Sequence, residues 1–479
     1  MKSIPSLARK NPAAAQKKPA SIQPAFTSAL LTLLFVLPLN LFAQDGWRDL
    51  FNGENLDGWI QRNGEAIYFV EDGAIVGEAV MNTPNSFLTT DRDYGNFILE
   101  YDVLLDTRVN SGVQIRSESK QDYMNGRVHG YQVELDPSPR RWSGGIYDEA
   151  RRGWIYPLTR NKRGQAAFRN GQWNHFRVEA IGNEINVWVN GIQTTRLVDD
   201  LTLEGFIGLQ VHSIRSEEQE GTQIRWRNIR IMTDNLDQHR SVPDPDVPEF
   251  NYLKNELTDH ERRQGWRLLW DGESGDGWRS VRSEQFPSNG WLIEEGELVI
   301  PGSDELEERP GDLVTVDQFS NFELILDFKF EEGANSGIKY LVDPERLHEE
   351  GRVLGPEFQI LDDRNHPDAD QGVAGNRRLG SLYDLIPVWN LSEQSSNIRA
   401  HGAGQWNRAR IVSKDGIVEH WLNNIKVVEY DRNSQMFKAL VANSKFADQE
   451  DYASWPQGHI LLQDHRDRVS FRSIKIREF

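Results

Sequence analysis

Two stretches of this 479-residue chain repeat one another, motif for motif and in one order, and that repetition narrows the fold more than any single motif does. Gly46-Trp47-Arg48-Asp49-Leu50-Phe51-Asn52-Gly53 returns as Gly265-Trp266-Arg267-Leu268-Leu269-Trp270-Asp271-Gly272, and each is soon followed by Asp-Gly-Trp, through Trp59 and Trp278. Asn96-Phe97-Ile98-Leu99-Glu100 returns as Asn321-Phe322-Glu323-Leu324-Ile325, and Asn110-Ser111-Gly112 as Asn335-Ser336-Gly337. Gly145-Ile146-Tyr147-Asp148 matches Ser381-Leu382-Tyr383-Asp384, Trp173-Asn174 matches Trp406-Asn407, and Ile207-Gly208-Leu209-Gln210 matches Ile460-Leu461-Leu462-Gln463. Both copies close on an Arg-bearing segment, Trp226-Arg227-Asn228-Ile229 and Phe471-Arg472-Ser473-Ile474. The chain therefore reads as two tandem domains, residues 46–232 and 265–479, joined by residues 233–264. Within the joint, the Pro- and Asp-rich stretch from Asp234 to Phe250 reads as an exposed linker. Thr258 and Glu261 form a capping box that opens a short helix, and Gly265 can end it.

Inside each copy the pattern is strand and turn. Phe97 to Leu105 and Phe322 to Phe330 alternate with period two over most of their length, as strands with one core face do. Asn190-Gly191 is a strong hairpin signal, and Asn423-Asn424 stands in its place in the second copy. With 15 Trp and 39 Gly the chain has the broad rings and tight turns of two packed antiparallel sheets, so the expectation is an all-β jelly roll or sandwich in each copy. Trp173, Trp188, Trp406 and Trp421 are expected in the core. The chain has no cysteine, which removes disulfides, thiolate nucleophiles and Cys-ligated zinc. A net charge of −19 argues against a nucleic-acid or anionic-membrane partner.

The first 43 residues read as an export signal: Lys2, Arg9, Lys10, Lys17 and Lys18 precede an apolar run from Ala29 to Phe42, and cleavage after Ala43 would follow. The run is shorter than a membrane span needs and is interrupted by Pro38 and Asn40. A periplasmic or secreted protein, free of the membrane after cleavage, is the expectation.

Period two also sorts candidate site residues. Gln132 and Glu134 share one face of their strand while Tyr131, Val133 and Leu135 share the other; Glu357 and Gln359 do the same in copy two, with the two residue types swapped. Gln114 and Arg116 alternate likewise after Asn110-Ser111-Gly112. His212 and His465 follow the matched Leu-Gln at the same offset. Asp362, Asp363, His366, Asp368 and Asp370 could ligate calcium through oxygens, but they fit no EF-hand spacing, and a solvated acidic loop is the plainer reading. No cofactor is otherwise implied. There is no Gly-x-Ser-x-Gly elbow, phosphate loop or His-Glu-x-x-His. Nor do paired carboxylates recur at equal positions in both copies, as an ordinary glycosidase would need.

The ordered series of Asn-Ser-Gly, the Gln/Glu strand, Tyr-Asp, Trp-Asn, Leu-Gln-x-His and the closing Phe-Arg resembles the bacterial 3-keto-disaccharide hydrolase family, over nearly all of both copies. That resemblance implies a concanavalin A-like lectin and glucanase sandwich in each copy and a small sugar substrate. The C3 ketone of such a sugar acidifies the C2 proton, so a base removes it, the group on C1 leaves, and water adds afterwards. Carried onto this chain, the resemblance implies Glu357 and His465 as acid and base in copy two, with Tyr383 and Arg472 as donors. Glu134, His212, Tyr147 and Arg116 are the counterparts in copy one. Asn335, Gln359, Asp362 and Asp384, and Asn110, Gln114, Gln132 and Asp148, complete the sets as substrate contacts. Copy two keeps Gln463-Asp464-His465 where copy one has Gln210-Val211-His212; copy one keeps Gln114 and Arg116 where copy two has Lys339 and Leu341. A non-catalytic sugar-binding module and an adhesive surface protein are the competing readings, since fold does not fix function.

Overall fold

The computed structural model describes residues 46–302, 311–345, 353–388, 400–449 and 452–479. The segment read as an export signal lies outside them. Each copy is a sandwich of two antiparallel sheets. In the first, one sheet runs in the order Ile192–Val198, Glu184–Val189, Asn174–Ile181, Phe97–Leu105, Gln223–Met232, Ala74–Glu78, Ile67–Glu71. Its partner runs Gly153–Tyr156, Ile146–Glu149, His129–Leu135, Ser111–Glu118, Phe206–Val211, Ser86–Thr90, Trp59–Asn63. The second copy repeats the plan. Val469–Glu478, Phe322–Phe330 and Asn407–Lys414 lie central in one sheet, while Leu313–Thr315, His459–Leu462, Asn335–Val342 and Glu357–Leu361 lie side by side in the other.

Alternation places the core. Along Phe97–Leu105, Phe97, Leu99, Tyr101, Val103 and Leu105 join the inter-sheet core, and the opposite face carries Glu100 and Asp102. Asn190 and Gly191 take φ of 49° and 79°, and Asn423 and Asn424 take 47° and 66°, the left-handed pairs that a tight hairpin requires. Trp188 and Trp421 are buried as expected. Trp173 and Trp406 are not core: each is half-buried, and its ring is stacked by a guanidinium, Arg227 at 4.0 Å and Arg472 at 3.9 Å.

One backbone irregularity recurs in both copies. Pairing shifts register between Ile115 and Glu118, and again between Lys339 and Val342, around Arg116 (φ 45°) and Leu341 (φ 52°). The neighbouring strand meets each bulge with a glycine. A Cβ on Gly205 would lie 2.4 Å from the Ser117 carbonyl oxygen, and one on Gly458 would lie 2.4 Å from the Leu341 carbonyl carbon. No side chain fits at either place.

The joint between the copies is exposed or half-buried over most of residues 234–250, as its composition suggests, yet it is anchored at its end. Val247, Phe250 and Asn251 are buried, and Phe250–Asn251 pairs in parallel with Leu197 and Val198 at the edge of the first copy. Asp259–Arg263 is helical, with the Thr258–Glu261 capping box formed. Glu261 then pairs with the buried Lys475 of the second copy at 2.5 Å, and Asn255 exchanges hydrogen bonds with Ser473. The copies also touch directly: Asn424 Nδ2 donates to the Ile155 carbonyl at 3.2 Å, and Thr159 Oγ1 donates to the Asn424 carbonyl at 2.9 Å. Polar residues dominate the joint because they tie down backbone between two sandwiches, and a polar sequence is indistinguishable from a solvated one until those partners are seen. Among the described residues no helix is long and apolar enough to cross a membrane.

Candidate active site

The second copy holds a cleft of about 780 Å³ over its shorter sheet. Its floor comes from two paired strands, Asn335–Val342 and Glu357–Leu361, with Gly337 opposite Gln359 and Lys339 opposite Glu357. The glycine of the Asn-Ser-Gly motif has a specific purpose: a Cβ on Gly337 would sit 2.1 Å from Glu357 Oε1, so only glycine lets that carboxylate lie across the strand. Lys339 Nζ stands 3.8 Å from Glu357 Oε2 and donates to the Val353 carbonyl at 3.0 Å. Gln359, oriented to satisfy its neighbours, donates to Glu357 Oε1 and the Ser336 carbonyl, both at 3.1 Å. Burial raises the pKa of Glu357; Lys339 and Lys445 pull it down, and Asp312 and Asp368 push it up. A carboxylate of this kind is a stronger base than an exposed one while a cation beside it keeps the ionised form within reach.

Tyr383 forms part of a wall. Its hydroxyl donates to Asp368 Oδ2 at 3.0 Å, and burial together with that carboxylate keeps the phenol protonated. Lys445 Nζ lies 4.0 Å from the centre of its ring. His465 sits on the rim with its side chain 48% exposed, Nδ1 4.0 Å from Asp467 Oδ2. Asn335, Glu357, Gln359, Tyr383 and His465, all marked in the sequence, thus line one cleft.

Other marked residues lie elsewhere. Arg472 belongs to the opposite sheet, where its guanidinium stacks on Trp406 and stands 3.7 Å from Asp327, so it is not an oxyanion donor. Asp362 accepts from the backbone of Gly333 and Arg364 and from the Asn365 amide, as a turn cap does. Asp384 pairs with Arg377 at 2.6 Å. The carboxylates of the acidic loop are engaged by groups of the protein itself. Asp363 accepts from the Leu379 amide, Asp368 takes Arg377 and Tyr383, and Asp370 takes Arg378. Among the described residues no group of three or more His, Cys, Asp or Glu is arranged to hold a metal ion.

Copy one repeats the floor with two amides in place of the Glu357–Lys339 pair. Gln114 stands opposite Gln132, the positions of Lys339 and Glu357, and the two amides hydrogen-bond at 2.7 Å. Gln132 also lies over the Asn-Ser-Gly glycine: a Cβ on Gly112 would be 2.4 Å from its Cδ. The counterpart of Glu357 is therefore Gln132, and Glu134 stands where copy two has Gln359. Glu134 is buried and accepts from Asn110 at 2.6 Å and Gln132 at 2.9 Å; burial raises its pKa to about 7. Arg116 fills the bulge and donates to the Gly95 and Gly182 carbonyls and to Asn96, a structural role. Asp148 is fully buried between Arg151 and Arg152, Tyr147 packs edge-on against Trp154, and His212 Nδ1 bonds the Ser213 carbonyl at 2.7 Å.

Sequence reasoning missed the wall carrying Lys445, Phe446 and Gln449. It lies in residues 432–458, between Ile425–Asp431 and His459–Leu462, where copy one connects Ile192–Val198 to Phe206–Val211 through residues 199–205 alone. The inserted segment includes the helix Gln435–Ala442. Matching the copies to each other hides a segment only one of them has.

The family model for the 3-keto-alpha-glucoside-1,2-lyase-like domain matches residues 46–232 and again 265–477. The 3-keto-disaccharide hydrolase of Bacteroides thetaiotaomicron is 34% identical over 238 residues, covering 44% of this chain and 78% of that protein. A solved structure from Parabacteroides distasonis is 28% identical and covers 47% of this chain and 99% of its own, with a TM-score of 0.41. The carbohydrate binding module CBM66 of Bacillus subtilis is 17% identical and covers 36% of this chain and 95% of its own, with a TM-score of 0.24. With the family model spanning both sandwiches, the chain belongs to the 3-keto-alpha-glucoside-1,2-lyase-like domain family and carries that domain twice.

Proposed function

We propose that the protein is a carbohydrate-active enzyme whose second copy cleaves 3-keto-glycosides by elimination and hydration, outside the cytoplasm. The observation that carries this reading is the Glu357–Lys339 pair on the floor of the cleft: a buried carboxylate with a raised pKa beside a fixed ammonium. Glu357 takes the proton from C2. The electron pair left behind forms the C1–C2 double bond as the C1–oxygen bond breaks, and the departing oxygen takes a proton from His465 at the rim. Lys339 and Lys445 supply positive charge for the oxygen on C3 as negative charge develops there. Water then adds across the double bond and releases the 3-keto sugar. The family membership and the Bacteroides relative's name support the substrate class.

Turnover is assigned to copy two because a glutamine pair offers neither a base nor a cation where copy one would need them. The basic and apolar leader supports export; N-terminal sequencing of protein recovered outside the cytoplasm should begin near Gln44. The decisive assay compares a glucoside with its 3-keto form. Only the oxidised sugar should be consumed, since an ordinary C2–H is far too weak an acid for a carboxylate base. Equal consumption of both would mean an ordinary glycosidase, and binding without turnover of either would mean a lectin.

A further inference from the structure

The cleft is graded from floor to rim. Glu357 and Lys339 on the floor are 6% and 5% exposed, whereas Arg282 and Arg466 stand exposed at the mouth. Neither of these guanidiniums has a hydrogen-bond or ion-pair partner among the described residues; only their backbone amides are engaged. They are the two arginines that line the cleft among the described residues, whereas Arg377, Arg408 and Arg410, elsewhere in the chain, are paired to carboxylates. The two belong to one corner of the rim. A Cβ on Gly311 would lie 4.0 Å from Arg282 Nε, the Gly311 amide donates to Asp464 Oδ2 at 3.1 Å, and Asp464 Oδ1 accepts from the Arg466 amide at 3.1 Å. Asp464 thus faces backbone amides on both sides, and Asp312 accepts from the Asp464 amide at 3.0 Å. Arg466 is held at φ 82°, a conformation a non-glycine residue adopts only when its surroundings impose it, and one found disproportionately at binding sites.

We propose that the leaving group of the substrate carries an anionic oxygen substituent, a carboxylate or a sulfonate, which Arg282 and Arg466 grip at the rim while the 3-keto ring lies against Glu357. This rests on the function proposed above. Planar guanidiniums match such groups through paired N–H donors. In a protein of net charge −19, two exposed guanidiniums at the mouth are also what let an anion approach.

The test pairs 3-keto-glucosides of 4-carboxyphenol and 4-sulfophenol with that of the neutral, equally sized 4-carbamoylphenol. The kcat/KM ratio of anionic over neutral substrate is expected to fall roughly tenfold in R282Q/R466Q, mostly through KM, as two rim ion pairs allow. In wild type the ratio should also fall between low salt and ~0.5 M salt. A ratio equal in wild type and variant, and insensitive to salt, overturns the proposal. Calorimetric titration with the unoxidised glucosides reads the same preference without turnover. An anion preference that survives there, with no 3-keto substrate consumed, keeps the rim assignment and sinks the proposed reaction alone; equal affinities sink the rim assignment alone.

Discussion

In the proposed reaction Glu357 is the residue on which the chemistry turns, and its neighbours make specific demands of it. Glu357→Gln keeps the volume and the Gln359 contact but removes the base, so turnover should drop about 10²- to 10⁴-fold with the circular dichroism unchanged. Lys339→Gln gives copy two the residue copy one has. Because Lys339 holds the Glu357 pKa down, its loss should move the acidic limb of the pH–rate profile to higher pH, whereas a merely structural role would lower the rate at every pH alike. In copy one, Glu134 tests burial by itself. With its pKa raised to about 7, the folded protein keeps a proton that the unfolded chain has released from about pH 4.3 upward. The stabilisation is fully present below that lower value and is lost as pH rises from there through 7, a change of about 4 kcal/mol. Urea unfolding of Glu134→Gln should lack that part of the slope between pH 5 and 8; a constant offset from wild type would contradict the burial argument.

At the scale of elements, the paired strands of the floor were legible in the sequence because period two fixes which side chains share a face. Swapped Glu/Gln pairs in two copies marked that face as polar by design. Which glutamate was the counterpart of which was not legible: only the glycine beneath Glu357 and Gln132 reveals that the pair is aligned position by position, which puts an amide in copy one where copy two has the Glu357 carboxylate. Asp362, Asp384 and Arg472 were misread for a common reason. Turn caps, buried ion pairs and catalytic sites use the same residue types, and sequence spacing records the type without the partner. The wall at residues 432–458 has no repeat to announce it. Lys445→Ala should lower kcat and kcat/KM together, because the charge it offers the C3 oxygen is called on only as negative charge develops there. Copy one, by contrast, should tolerate Gln132→Ala with no loss of turnover, while Glu357→Gln in the same full chain removes essentially all of it. Half the wild-type rate remaining in Glu357→Gln would return copy one to the list of active sites.

The two sandwiches belong to one compact unit, and the joint is shared between both of them. A fragment beginning at Gly265 would strip Glu261 from Lys475, leaving an ammonium that is 3% exposed without its carboxylate. Breaking a buried pair from one side costs about 3–5 kcal/mol. A fragment beginning at Asp234 should therefore melt several degrees above one beginning at Gly265, and Glu261→Gln should lower the melting temperature of the full chain; equal melting of the two fragments would show the joint to be passive. The bulge at Arg116 and Leu341 has a different bearing, on descent. Both copies keep the left-handed residue and the glycine that meets it, yet one fills the place with a guanidinium anchored to three oxygens and the other with a leucine. A backbone detour that outlasts every side chain placed on it is older than the doubling of the gene. The amide pair, the Glu–Lys pair and the extra wall are where the two halves differ, set on one shared skeleton.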